Sequence, residues 1–157
     1  MLKQTQKVKK MIQDGKNAED LFFYVMECLK RPIKKSSFEQ NKYDHIDFFI
    51  GSKSYDVKSR ADKNTVWLEA KGIYGHDGWL LGKAKYIVIY YVELRQFVFY
   101  LREDLKAYAK NFKKKSDQKK YFHWYTRSKW KRKDLCLLVK KSDLEHLENY
   151  QITINYV

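Results

Sequence analysis

The sequence predicts an α/β fold built on a mixed sheet, and three observations carry that prediction. An amphipathic helical pattern covers residues 17–31, the apolar period switches to two between His45 and Lys58, and Tyr86–Val92 is an unbroken apolar run. At 157 residues the chain is long enough for one ordinary domain, here taken as 1–157. Within it the reading distinguishes a core over 17–101, a basic, aromatic-rich segment over 106–133, and a strand-helix-strand ending over 135–157.

In the first helix Asn17 is the predicted N-cap, Glu19 and Asp20 occupy the first turn, and Pro32 stops the chain from continuing. Phe22, Val25, Met26 and Leu29 recur at the spacing of one buried stripe, and Glu19, three residues before Phe22, is expected along it. Next, Ile46, Phe48 and Ile50 alternate with His45, Asp47 and Phe49, and Tyr55 and Val57 alternate with Asp56 and Lys58. Gly51-Ser52-Lys53-Ser54 between them is turn chemistry, so the segment reads as a β-hairpin. A turn centred on Ser52-Lys53 pairs Asp47 with Lys58, Phe48 with Val57 and Phe49 with Asp56. One face is then apolar, and the other gathers Asp47, Asp56 and Lys58.

Val66–Lys71 reads as a third strand, followed by a glycine-rich stretch with Gly72, Gly75, Gly78 and Gly82. Tyr86–Val92 has the pattern of a strand buried on both faces, paired with Phe97–Leu101 across a short turn. Glu103–Phe112 reads as a helix, Leu135–Val139 as a strand, Ser142–Leu147 as a short capped helix and Ile152–Val157 as an edge strand. Cys28 and Cys136 have no CxxC spacing, sit in apolar stretches and read as buried thiols in a reducing compartment.

Charge narrows the function. With 33 Lys+Arg against 19 Asp+Glu the net charge is +14, a field that draws polyanions, nucleic acid first among them. Twelve of the basic residues and one acid fall between Lys106 and Lys133. There Lys113, Lys114, Lys115, Lys119, Lys120, Arg127, Lys129, Lys131, Arg132 and Lys133 are the predicted phosphate contacts. Trp130 and its aromatic neighbours Tyr121, Phe122, Trp124 and Tyr125 are suited to stacking on unpaired bases. No apolar run reaches the roughly 18–20 residues of a bilayer span and no secretory h-region opens the chain, so no membrane partner and a cytoplasmic location are expected.

Two aspartates on one hairpin face repel each other, and a divalent cation resolves that conflict. Two carboxylates, a backbone carbonyl and waters make a hard-oxygen site suited to Mg²⁺. Lys58 on the same face can polarise an attacking water or stabilise charge on a phosphate oxygen, as phosphodiester hydrolysis requires. The alternative from the same residues is the solvated outer face of a hairpin with one salt bridge.

Asp47, followed nine residues on by Asp56-Val57-Lys58, with Glu19 on the preceding helix, resembles the PD-(D/E)xK nuclease superfamily. This is the group of restriction-endonuclease-like and Holliday-junction-resolvase-like enzymes. Ile46 stands where the motif's name has proline. The resemblance covers roughly residues 17–92. The stretches Trp67-Leu68-Glu69-Ala70-Lys71 and Gly78-Trp79-Leu80-Leu81-Gly82-Lys83-Ala84 are similar to small phage-encoded members, for which the compartment is the host cytoplasm.

What the resemblance implies is a restriction-endonuclease-like mixed sheet flanked by helices and Mg²⁺- (or Mn²⁺-) dependent cleavage of DNA, structure-selective cutting of branched DNA included. Asp47, Asp56 and the Val57 carbonyl would hold the metal, Lys58 would be the catalytic lysine, and Glu19 would reach the metal through water. Glu69 and Lys71 form a second acid-x-lysine pair that would line the same site if their strand lies next to the hairpin. Paired cuts on two strands suit a homodimer. The competing class is a non-catalytic basic nucleic-acid-binding protein with a vestigial acidic pair, and a ribonuclease on the same scaffold also stays open.

Overall fold

A computed structural model describes residues 18–60, 64–72, 74–116, 118–129 and 132–154. Within strands, the side chains of residues 60, 127–129 and 132–133 lie outside that description, as do the predicted N-cap Asn17 and the loop residues Trp130 and Lys131.

The first helix, α1, runs over Ala18–Cys28 and buries Ala18, Leu21, Phe22, Val25 and Met26. It ends before the predicted boundary because Lys30, at φ 55°, turns the chain out ahead of Pro32. Cys28 is exposed, against expectation, and Cys136 is buried. A short strand β1 (Ile33–Lys35) leads into α2 (Phe38–Asp44). Ser37 caps α2 through a capping box, accepting from the Gln40 N–H while the Gln40 side chain accepts from the Ser37 N–H.

The hairpin forms from β2 (Phe48–Ile50) and β3 (Lys53–Arg60), but its register differs from the predicted one. Phe48 faces Tyr55, Phe49 faces Ser54 and Ile50 faces Lys53, so the loop is Gly51-Ser52. Gly51 has φ 59°, a conformation that costs glycine nothing and moves the tight turn one residue earlier. Because the slip is by two positions and the side-chain period is two, the faces keep their predicted residues.

β3 continues parallel to β5 (Tyr86–Tyr91), which pairs antiparallel with β6 (Gln96–Leu101), and β10 (Glu148–Thr153) closes the edge. The result is a six-stranded mixed sheet in the order β1-β2-β3-β5-β6-β10. The predicted third strand, β4 (Thr65–Lys71), is not part of it. With β7 (Lys115–Ser116), β8 (Trp124–Lys129) and β9 (Arg132–Lys140) it forms a second sheet in the order β4-β9-β8-β7. The helix α3 spans Arg102–Ala109, and Lys141–Leu147 is a 3-10 turn with no side-chain cap, where a capped helix was expected.

The central sheet is covered on both faces, which is why β5 and β6 are apolar throughout. On one side α1 packs Phe22 against Phe48, Tyr55, Phe97 and Phe99, with ring centroids 5.4–6.2 Å apart. On the other, Ile87, Ile89, Val98 and Tyr100 meet Val66 and Leu68 of β4, Leu137 and Val139 of β9, and Leu105 of α3. Residues 61–85, the β3–β5 crossover, therefore place a strand of the second sheet over the face that bears Asp56 and Lys58.

Gly78 lets the glycine-rich stretch lie directly on β4. A Cβ there would overlap the Glu69 carbonyl oxygen and sit 2.7 Å from its carbon and 2.8 Å from Glu69 Cγ. Gly78→Ala is expected to destabilise the fold by about 1–3 kcal/mol, read as a lower urea midpoint at unchanged m-value. No change would mean that the strand and the loop are not in contact.

Candidate functional site

The hairpin register brings the two aspartates together more closely than the predicted pairing would. Asp47 lies one step before β2, and its N–H donates to the Tyr55 carbonyl at 2.8 Å, so its side chain falls beside Asp56 and Val57. Asp47 is buried and held at both oxygens. Oδ1 accepts from Asn41 Nδ2 of α2 at 2.6 Å, and Oδ2 accepts from the Val57 N–H at 2.7 Å. Val57 thus touches the site through its N–H, while its side chain packs into the core under α1.

Asp56 is 0 % exposed. Its Oδ1 forms an ion pair with Lys58 Nζ but receives no directional hydrogen bond, and its Oδ2 lies 3.4 Å from Arg102 Nη2. Arg102, at the start of α3, is itself buried. It also donates from Nε to the Ala84 carbonyl at 2.6 Å and from Nη1 to the Trp79 carbonyl, and its Nη2 lies 3.4 Å from the His45 carbonyl. Those carbonyls orient the guanidinium at the carboxylate, which a lysine's single rotatable ammonium could not match. Lys58 is 30 % exposed and is the member of the group that reaches open space.

Burial pushes the Asp56 carboxyl up to about 7, with the Asp47 charge adding to it and Lys58 and Arg102 opposing it. Burial also pulls the Lys58 ammonium down, but Asp56, Asp47 and Glu19 outweigh it and leave its pKa raised. The Asp56 carboxyl binds its proton more tightly folded than unfolded, so its stabilising contribution is complete below its ordinary value of 3.8 and is lost as the pH climbs to about 7. The unfolding free energy of the wild type minus that of Asp56→Asn is expected to decline across that window in urea titrations. A difference independent of pH would contradict the carboxyl's burial.

Glu19 does not lie on the buried stripe. With Ala18 at 0° and about 100° per residue, the buried residues of α1 span about −60° to +80°, and Glu19 at about 100° falls just past their edge. It is exposed, yet its carboxyl end is partly desolvated, and this, followed by the Asp47 charge, raises its pKa while Lys58 lowers it. Glu19 therefore stands within electrostatic reach of the group, at its rim.

A cavity of about 360 Å³ opens at Lys58, lined by His45, Ser59, Val66, Trp67, Glu69, Trp79 and Ile89. Glu69 is brought to the site across the gap between the two sheets, not from an adjacent strand as predicted. Lys71 is exposed beyond a register shift in the β4–β9 pairing and does not line the cavity. His45 adjoins it because the His45 ring donates from Nε2 to the Asp77 carbonyl at 2.9 Å. Among the described residues, no three His, Cys, Asp or Glu side chains are grouped to hold a metal ion.

Of the predicted DNA contacts, Lys113, Lys114, Lys115, Lys119 and Lys120 are exposed, and Lys119 Nζ lies 5.8 Å from the Trp67 ring at the cavity wall. Arg127, Lys129, Arg132 and Lys133 belong to the β8–β9 hairpin, but their side chains, and Trp130 and Lys131 entirely, lie outside the described residues. Phe122 and Trp124 pack against the second core, with Trp124 Nε1 donating to the Phe112 carbonyl at 2.7 Å, so these two rings are not open to bases.

Sequence reasoning missed Arg102, Asn41 and His45. For α2, which carries Asn41 and positions His45, a signal existed in the capping box Ser37-x-x-Gln40. For Arg102 there was none, since an arginine opening a helix after a strand reads as an ordinary solvated residue. No helix among the described residues is long and apolar enough to cross a membrane. No family model, no curated protein and no solved structure matches the chain.

Proposed function

We propose that the protein is a magnesium-dependent DNA endonuclease of the PD-(D/E)xK kind, with a restriction-endonuclease-like core. The observation that carries this reading is the buried Asp56, flanked by Lys58 and Arg102 beside Asp47, with Lys58 reaching into an open cavity. A structural salt bridge has no need of a second buried carboxylate, a half-buried lysine and a cavity lined by that lysine together.

The residues present fit a hard divalent cation. Asp56 Oδ1 is a buried oxygen whose partner is the Lys58 ammonium, and each Asp47 oxygen accepts one bond and keeps a further lone pair. Two carboxylates with the remaining positions left to water is an arrangement Mg²⁺ accepts, and Mn²⁺ takes the same oxygen donors. Held by Asp47 and Asp56, such an ion would supply charge neutralisation at the phosphate and would lower the pKa of a water. Asn41 and the Val57 N–H hold Asp47 in orientation. Arg102 holds one Asp56 oxygen from the protein side, and Lys58, which lines the cavity, holds the other. Lys58, charged and half withdrawn from water, stabilises negative charge as it develops on the phosphate. Glu69 on the opposite wall, and Glu19 at the rim, would accept hydrogen bonds from water at the site. The exposed lysines of 113–120 supply the sequence-independent grip on the DNA backbone.

One observation favours a second reading, a non-catalytic basic nucleic-acid-binding protein: no three ligating side chains are grouped among the described residues. Plasmid and branched DNA incubated with the protein, in Mg²⁺ or in EDTA, separates the two. The endonuclease reading expects cuts in Mg²⁺ alone. Retardation of the DNA in both buffers with no cleavage in either would leave only the binding protein.

A further inference from the structure

α2 buries none of its residues, yet it carries two large rings, Phe38 at 72 % and Tyr43 at 66 % exposure. Lys42 Nζ stands 5.6 Å from the Phe38 ring and 4.9 Å from the Tyr43 ring, so one ammonium joins both into a single patch. A helix with no core contact of its own is held by polar ties. These are the capping box, Asn41 to Asp47, and an ion pair from Lys83 to Asp44 at 2.8 Å. One of those ties leads to the candidate site, since Asn41 holds a proposed metal ligand, and the helix also ends at His45, which lines the Lys58 cavity.

We propose that this patch is a stacking platform for unpaired bases of the DNA strand whose phosphate enters the Lys58 cavity. The proposal rests on the endonuclease reading for that strand's position and names its substrate as DNA with unpaired nucleotides beside the cut. Glu39 on the same helix offsets Lys42, so the patch has little net charge to offer a phosphate backbone. What it offers is two exposed aromatic rings with the Lys42 ammonium over them, and base–aromatic stacking beside a cation is the interaction such rings make. A second copy of the chain is a poor occupant because two bodies of +14 repel. Lys119, whose Nζ lies 5.8 Å from the Trp67 ring in the wall of the Lys58 cavity, adds the charge to hold a strand at that cavity while its bases stack.

Fluorescence anisotropy in EDTA tests this with labelled oligo(dT), a blunt duplex of equal length, and that duplex with an unpaired tract. Phe38→Ala/Tyr43→Ala is expected to weaken binding to oligo(dT) and to the unpaired tract by at least about tenfold and to leave the duplex within about twofold. Tyr43→Phe keeps the ring and is expected to bind as the wild type does. Both rings are exposed, so the melting temperature should not move, and a Tyr43→Ala single variant serves if it does. Equal weakening on all three probes, no weakening on any, or a concentration-dependent dimer that the double variant abolishes would each overturn the platform. The outcome separates from the hydrolytic reading, because binding in EDTA needs no chemistry. Selective binding without Mg²⁺-dependent cuts sinks the nuclease alone, and cuts with unselective binding sink the platform alone.

Discussion

On the proposed endonuclease reading, Asp56→Asn is expected to lower Mg²⁺-dependent cleavage of plasmid DNA by at least about 10²–10³-fold and to leave DNA retardation in EDTA unchanged. The substitution preserves volume and one amide oxygen for Arg102, but removes the charge that would hold a divalent ion. It also removes the partner that keeps the Lys58 ammonium charged at the cavity mouth. Loss of the ion and of the Asp56–Lys58 pair would act on the same transition state, so Lys58→Ala should cost a comparable factor and the double variant little more. That non-additivity is the informative part, because two independent defects would multiply. Cleavage by Asp56→Asn within tenfold of the wild type, at a melting temperature showing a folded chain, would remove Asp56 from any catalytic role.

Arg102→Met destabilises the fold by about 3–5 kcal/mol, the usual cost of removing one partner from a buried charge pair. Two separate losses contribute. Among the described residues Asp56 keeps only Lys58 as a counter-charge, and the Ala84 and Trp79 carbonyls lose the Arg102 donor. The combination Arg102→Met/Asp56→Asn distinguishes them. Neutralising Asp56 relieves the first loss and not the second, so urea denaturation should find the double variant more stable than Arg102→Met but below the wild type. A double variant as unstable as the single one would mean that the guanidinium serves only the carbonyls. It would then not anchor Asp56, and the account of a carboxylate held from behind would fall.

Much of the arrangement was legible in residue patterns. The alternation through 46–57 separates Phe48, Tyr55 and Val57 from Asp56 and Lys58, and that separation survives the change in turn because the slip is an even number of residues. The apolar run of β5 foretold burial on both faces, which the two cores provide. Where local reading failed, the cause was a non-local partner. Glu19 misses the buried stripe by a small angle about the α1 axis, which sequence spacing resolves poorly. β4 looks like a neighbour of the hairpin, but its pairing with β9, some seventy residues later, draws it into another sheet. No period or motif within β4 encodes that choice.

Side-chain alternation and turn chemistry by themselves determined that two aspartates and a lysine share one side of a hairpin, since both follow from covalent geometry over a few residues. Only the tertiary structure decided what that side faces. Because β4 from the crossover, with the later strands of the second sheet and α3, packs over it, Asp56 lost its water, gained Arg102 from a distant helix, and left Lys58 at the edge of a cavity whose far wall is Glu69. Desolvation and the placement of remote charges depend on which distant segments pack together, and that is settled by the burial of apolar area over the whole chain.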